Sequence, residues 1–205
     1  MCKNSCKVVF LDRDGTMNVE VNYLHRKEDL KLIDGTAEAV RLLNEAGYKV
    51  IVITNQAGVA RGYYTEADVK ILHDYMNEVL ERDGAHVDAF YYCPHHPEHG
   101  IGIYKKKCHC RKPETGMFEM AERDLTDGID KMHSYMIGDK RIDAQAGKNF
   151  GVTGVLVGTG YGAKEHAEDM AAGLIKEDGS CPAGGYDAYA DTLLDAVRGI
   201  LGGRI

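Results

Sequence analysis

No stretch of this sequence stays apolar for the roughly 20 residues that a membrane helix needs. Its strongly apolar runs, Val8–Leu11 and Val50–Ile53, are far shorter. Basic residues are not in excess either. Lys and Arg number 25 against 32 Asp and Glu, for a formal charge of −7. That excludes a whole-surface footprint for nucleic acid, so any anionic ligand must be held by a few local cations. The start, Met1-Cys2-Lys3-Asn4, leads directly into a strand-like run and shows no signal-peptide pattern. No internal repeat and no linker divides the chain. These absences lead to the expectation of one domain over 1–205, cytoplasmic and monomeric, with neither a membrane nor a nucleic acid as partner. What is present is the balance of a folded protein: 205 residues, 44% hydrophobic and 28% charged, are enough for one well-buried core.

Six cysteines stand at 2, 6, 93, 108, 110 and 181. Without an export signal, the close set at 93, 108 and 110, beside several histidines, argues for metal rather than disulfides.

Strand-like and helix-like segments alternate along the chain. Lys7–Leu11, Lys49–Thr54, Val87–Tyr92, Tyr135–Gly138 and Thr153–Val157 read as five strands. The continuous apolar runs among them suit strands buried on both faces. Between and after them, Thr36–Ala46, Thr65 to about Arg82, Met117–Leu125, Ile142–Phe150 and Asp191–Leu201 have helical spacing and end signals. This rhythm implies parallel strands joined by right-handed crossovers, hence a three-layer α/β sandwich of Rossmann type. The Gly- and Ala-rich stretch Gly158–Gly185 yields no elements. Its Gly158-Thr159-Gly160-Tyr161-Gly162 lacks the spacing of a dinucleotide-binding turn.

Parallel sheets bind ligands beyond the carboxyl ends of their strands. Here those ends carry Asp12-Arg13-Asp14-Gly15-Thr16, Thr54-Asn55-Gln56, a Cys/His loop closing in Arg111-Lys112-Pro113, and Gly138-Asp139-Lys140 with Asp143 a turn later. Two acids one residue apart at the end of a buried strand repel each other, and a divalent cation relieves that. Hard carboxylate oxygens with a third acid at Asp139 suit Mg²⁺. Such a centre can accept a phosphate monoester, because the metal and a lysine neutralise the dianion so that a carboxylate can attack it.

The segment Phe10-Leu11-Asp12-Arg13-Asp14-Gly15-Thr16 resembles the DxDGT nucleophile motif of the haloacid dehalogenase superfamily. Ile53-Thr54-Asn55-Gln56, Lys112 and Gly138–Asp143 resemble its second, third and fourth motifs. The loop Cys93-Pro94-His95-His96-Pro97 to Cys108-His109-Cys110-Arg111-Lys112-Pro113, with Thr54–Gly62, is similar to the D-glycero-D-manno-heptose 1,7-bisphosphate phosphatases. Histidinol-phosphate phosphatases are close relatives with a like loop. The resemblance spans about Val8 to Val157. It implies a sugar-phosphate substrate, a minimal cap, Asp12 as nucleophile and Asp14 as acid and then base. Thr54 and Lys112 would hold the phosphoryl group. Mg²⁺ would sit on the Asp12 carboxylate, the Asp14 carbonyl and Asp139, with Asp143 orienting that shell. Arg13, Glu20, Val21, Asn22, Tyr23, Asn55, Gln56, Arg111 and Lys140 would contact the substrate.

Independently of any family, Cys93, Cys108, Cys110 and an imidazole form the closed tetrahedral set of a structural Zn²⁺ site in a loop at about 93–113. Resemblance alone selects His95 over His96 for the fourth ligand. His96, His99 and His109 read as exposed loop residues, Lys105–Lys107 as a solvated run, and Cys2, Cys6 and Cys181 as free thiols. Two non-enzymatic readings compete with the phosphatase. A phospho-aspartate signalling domain also gathers acids, a threonine and a lysine, but has no Cys/His loop and gives no multiple turnover. A zinc-dependent interaction module would not need Mg²⁺.

Overall fold

The computed structural model describes residues 5–205, so Cys2 lies outside the described residues. The elements run β1 (Val8–Leu11), α1 (Thr36–Glu45), β2 (Lys49–Asn55), α2 (Ala57–Ala60), α3 (Glu66–Glu81), β3 (Ala89–Cys93), α4 (Gly116–Asp124), β4 (Tyr135–Gly138), α5 (Arg141–Phe150), β5 (Thr153–Val157), α6 (Gly162–Ala171), β6 (Ala188–Ala190) and α7 (Leu193–Leu201). Six parallel strands lie in the order β3-β2-β1-β4-β5-β6. This is the doubly wound order, and its reversal falls between β1 and β4.

The side-chain period of two sorts β1 between the layers. Val9 and Leu11 face Val40 and Leu43 of α1, Met76 and Leu80 of α3, and Val197 and Ile200 of α7. Val8 and Phe10 face Met117 and Phe118 of α4 and Phe150 of α5. There the Phe10 ring meets Phe118 edge-on at 4.8 Å, while Phe118 stacks on Phe150 at 5.1 Å. The helices start and stop where chemistry directs. Thr65 accepts from the Asp68 N–H and Asp68 accepts in return from the Thr65 N–H, closing a capping box on α3. Gly151, at φ +99°, ends α5.

The expected strands appear with small shifts, the largest being β3, which starts at Ala89 rather than Val87. Three elements were not expected, the first being the single turn α2, only four residues long. The sixth strand has only three residues and one of them is buried, too little pattern to read. Helix α6 lies inside the unread Gly158–Gly185 stretch. It buries little beyond Gly162 and Asp169 along its length, so no apolar periodicity marks it. Among the described residues no helix is long and apolar enough to cross a membrane.

Candidate active site and metal centre

The strand-end motifs converge at the β1/β4 switch. Asp12 follows β1 directly, its N–H bonded to the Ile137 carbonyl of β4 at 2.9 Å. Lys112 reaches it from the far side of the zinc loop. The Lys112 ammonium donates to Asp12 Oδ1 at 2.6 Å, to Asp143 Oδ1 at 2.7 Å and to the Ile53 carbonyl at 2.8 Å. Three donors thus meet three acceptors in a buried setting. Burial works to lower the Lys112 pKa, but Asp12 and Asp143 outweigh it and hold the lysine charged. Asp143 also accepts from the Lys140 N–H, fixing the first turn of α5.

Asp139 is fully buried at the end of β4, and Gly15 and Gly160 close around its carboxylate. A Cβ on either glycine would collide with Oδ2, and both have positive φ, so glycine is required twice over. Oδ2 accepts from the Tyr161 N–H at 3.0 Å, while Oδ1 is buried with no hydrogen-bond partner, its nearest cation being Lys140 Nζ at 3.9 Å. Oxygens of Asp12, Asp139 and Asp143 lie within 4.8 Å of one another. Burial, reinforced by the Asp12 charge, pushes Asp139 up to about 8. Burial likewise lifts Asp12 to about 6 against the pull of Lys112. An orphaned carboxylate oxygen amid crowded acids fits a hard divalent cation.

Asp14 points elsewhere. Its carboxylate accepts from Arg13, from Asn18 Nδ2 at 3.0 Å and from Gln56 Nε2 at 2.9 Å. Burial would raise its pKa, but the Arg13 charge and these hydrogen bonds prevail and hold it below the ordinary carboxylate range. Thr54, also buried, accepts from the same Gln56 amide at 2.9 Å.

Two adjoining recesses open here. One of about 270 Å³ is lined by Asp12, Asp14, Glu20, Thr54, Asn55, Arg111, Lys112, Lys140 and Asp143. The other, about 220 Å³, carries Glu20, Asn22, Tyr23, Gln56, Lys140 and Tyr161. Most of the expected substrate contacts therefore do meet at the site. Val21 is exposed on the loop after β1 but lines neither recess. Arg13 and Gln56 depart from expectation. Both are buried and spend their polar groups on protein partners, with Gln56 Oε1 accepting from Arg13 and from Tyr64 Oη. Asn55 bridges both backbone polar groups of Lys112, holding the lysine in register. The Thr159-Gly160-Tyr161 turn was missed, yet it follows β5 directly, where the strand-end rule points.

The second cluster sits beside the first. Cys93, at the end of β3, Cys108 and Cys110 bring their sulfurs within 3.3–3.5 Å of one another, and His95 Nδ1 is 3.3 Å from Cys110 Sγ. Four ligands at about 2.0–2.3 Å from a zinc ion stand some 3.3–3.8 Å apart, so the spacing matches. The hydrogen bond it shares with Cys93 pushes Cys110 down to about 5. Three sulfurs this close cannot all ionise without a cation, so the donor set fits zinc. His96 is turned away and accepts from the Glu98 and His99 N–H groups. Arg111 donates to the His95 carbonyl at 3.2 Å, which ties the cluster to the side of the loop that lines the first recess.

Residues 109–179 match the HAD-hydrolase-like family model. A D-glycero-β-D-manno-heptose-1,7-bisphosphate 7-phosphatase of Haemophilus ducreyi is 46% identical over 80% of this chain and 90% of its own length. The chain belongs to the heptose-bisphosphate phosphatase family of haloacid dehalogenase-like hydrolases. Within this family, a Photorhabdus laumondii enzyme named for the α anomer is 40% identical over 82% of the chain and 92% of its own length. The solved D,D-heptose 1,7-bisphosphate phosphatase of B. bronchiseptica, complexed with magnesium and phosphate, superposes with a TM-score of 0.77 at 30% identity. That match covers 96% of this chain and 99% of the other.

Proposed function

We propose that the protein is a phosphomonoesterase that removes the C7 phosphate of D-glycero-β-D-manno-heptose 1,7-bisphosphate through an aspartyl-phosphate on Asp12. The observation that carries this reading is the Asp12–Lys112 pair, 2.6 Å apart at the end of β1, beside a buried Asp139 oxygen with no hydrogen-bond partner. Asp12, Asp139 and the Asp14 carbonyl would hold Mg²⁺, which when bound offsets the phosphate charge and so admits an anionic nucleophile. Lys112 keeps Asp12 Oδ1 fixed and leaves the other oxygen free to attack. An Asp12 oxygen–phosphorus bond forms as the bond from phosphorus to the C7 oxygen breaks, and Asp14, which must first take up a proton from solvent against the pull of Arg13, delivers it to the departing oxygen. Asp14 then takes a proton from the water that attacks the same phosphorus and releases Asp12. Thr54 holds a phosphoryl oxygen, Lys112 contributes its charge beside the phosphoryl group while pairing Asp12, and Asp143 orients Lys112.

Arg111 and Lys140 supply the remaining positive charge, facing the sugar and its second phosphate, with Glu20, Asn22 and Tyr23 on the open side. Zinc held by Cys93, His95, Cys108 and Cys110 would order a loop that has little core of its own, and so place Arg111 and Lys112. The chain acts as one cytoplasmic, monomeric catalytic unit over 1–205. The β anomer is favoured over the α anomer by the name of the 46%-identical relative. The heptose bisphosphate is favoured over histidinol phosphate because the named relatives act on the sugar.

The test is phosphate release from both anomers and from histidinol phosphate, with Mg²⁺ and with EDTA. Highest kcat/KM on the β anomer, lost in EDTA, is expected. Preference for histidinol phosphate would move the substrate while keeping the chemistry. No turnover of any of them would revive the signalling reading.

A further inference from the structure

Arg13 stands between the two acids of the first motif, yet it is fully buried. Its guanidinium donates three times to Asp14: from Nε to Oδ1 at 3.1 Å, and from Nη2 to Oδ1 at 3.0 Å and Oδ2 at 2.8 Å. Asn18 and Gln56 donate to the same carboxylate, but Arg13 is the one charged donor among these partners. Arg13 is itself held from behind. Nη1 lies 3.2 Å from His73 Nε2, and Nη2 reaches the Leu24 carbonyl at 3.3 Å and Gln56 Oε1 at 3.1 Å. Arginine has no acceptor and stays protonated, so His73 Nε2 must be the acceptor and its ring neutral. Burial and the Arg13 charge push His73 down to about 3, in agreement. The His73 ring is clamped in place, stacked on Phe90 at 4.6 Å.

A carboxylate that serves first as acid and then as base must be placed to within a fraction of an ångström. Asp14 leaves the end of β1 just before Gly15, at φ +86°, where an isolated bridge to Asn18 and turn bonds to the Arg13 carbonyl hold the main chain but do not set the direction of the carboxylate. Its support comes from side chains, and a planar fork fixes direction as a point charge cannot.

We propose that Arg13, backed by His73 of α3, is a positioning residue that fixes the Asp14 carboxylate for proton transfer and takes no part in binding substrate phosphates. This rests on the phosphatase reading above. A substrate role requires an exposed guanidinium, and Arg13 has none.

The experiment compares the metal-loaded wild type with Arg13→Met, Arg13→Lys, His73→Leu and His73→Gln. Each is first checked for zinc content and circular dichroism, then assayed on the heptose bisphosphate and on p-nitrophenyl phosphate. Arg13→Met should lower kcat on the sugar phosphate about 100-fold with little change in KM, and Arg13→Lys should rescue only a small part of it. On p-nitrophenyl phosphate the leaving group departs without a proton, while water attack still needs Asp14. Rapid mixing should therefore show a burst of one p-nitrophenolate per chain at near wild-type rate, followed by slow turnover. A raised KM with unchanged kcat would instead make Arg13 a substrate ligand and overturn the proposal. A burst slowed as much as the turnover would overturn it too.

If Arg13→Met does not fold, His73→Leu decides. It should cost roughly tenfold in kcat with the same burst. His73→Gln, whose amide oxygen can accept the same hydrogen bond, should recover most of that loss. Wild-type kinetics in His73→Leu would refute the backing role. A wild-type enzyme that turns over neither substrate would sink the phosphatase reading itself, which is a separate result.

Discussion

Lys112 shows how much one side chain carries. Its ammonium offsets the charge of two buried carboxylates and bonds the end of β2, all within 2.8 Å. Removing it leaves those charges uncompensated, so Lys112→Met should destabilise the metal-free protein by about 3 kcal/mol, measured by urea unfolding. Asp12→Asn removes the nucleophile, and kcat should fall by at least ~10³-fold while the fold survives by circular dichroism. Residual activity well above that level would remove Asp12 from its role.

The acids also predict a pH dependence. Asp139, pushed up to about 8, and Asp12, to about 6, hold protons in the folded apoprotein at pH values where the unfolded chain has lost them. The folded state then binds more protons than the unfolded one, so the stability these groups contribute is present below pH 4 and is lost as pH rises toward 8. Mg²⁺ must displace those protons. Its stabilising shift in melting temperature should therefore grow from pH 5 to pH 8, and a flat response would contradict the site. These residues were legible because each follows a strand directly. The inward turn of Arg13 and Gln56 onto protein partners was not legible, because sequence shows which residue types stand at a strand end, and not which of them turn inward.

At the scale of elements, β1 and β2 announced themselves through continuous apolar runs, and α3 through the Thr65 hydroxyl, the acids of its first turn and its apolar spacing. Helix α6 and β6 carry no such pattern, since one is mostly exposed and the other only three residues long. The same silence hid the Thr159–Tyr161 turn that braces Asp139. Gly160→Ala tests that brace: the added Cβ meets the Asp139 carboxylate at a positive φ, and Mg²⁺ affinity should fall at least tenfold by titration calorimetry. The Cys/His cluster was readable from cysteine spacing, because chelation needs certain residue types and not a hydrophobic period. It joins β3 to the turn bearing Arg111 and Lys112, so loosening it displaces both cations. Cys108→Ser should lose the bound zinc and lower kcat/KM by about tenfold or more. Full activity without zinc would show that the loop holds its shape unaided.

For the molecule as a whole, the strand order reverses beside β1, and the crevice this opens gathers side chains from four strand ends far apart in sequence. Two opposed requirements meet there. Acids must stand close enough to share a cation, and a lysine and an arginine must keep them from repelling one another apart. The sheet supplies the rigid frame, while the Cys/His loop and the loop after β1 supply the walls of the two recesses. The central claim is that this crevice removes the terminal phosphate of a heptose bisphosphate and spares the anomeric one. The direct measurement is a phosphorus NMR spectrum of the products after complete reaction of the β anomer with Mg²⁺. The account predicts one equivalent of inorganic phosphate and one resonance of an intact anomeric phosphate. Loss of the anomeric signal with the C7 phosphate retained would contradict it.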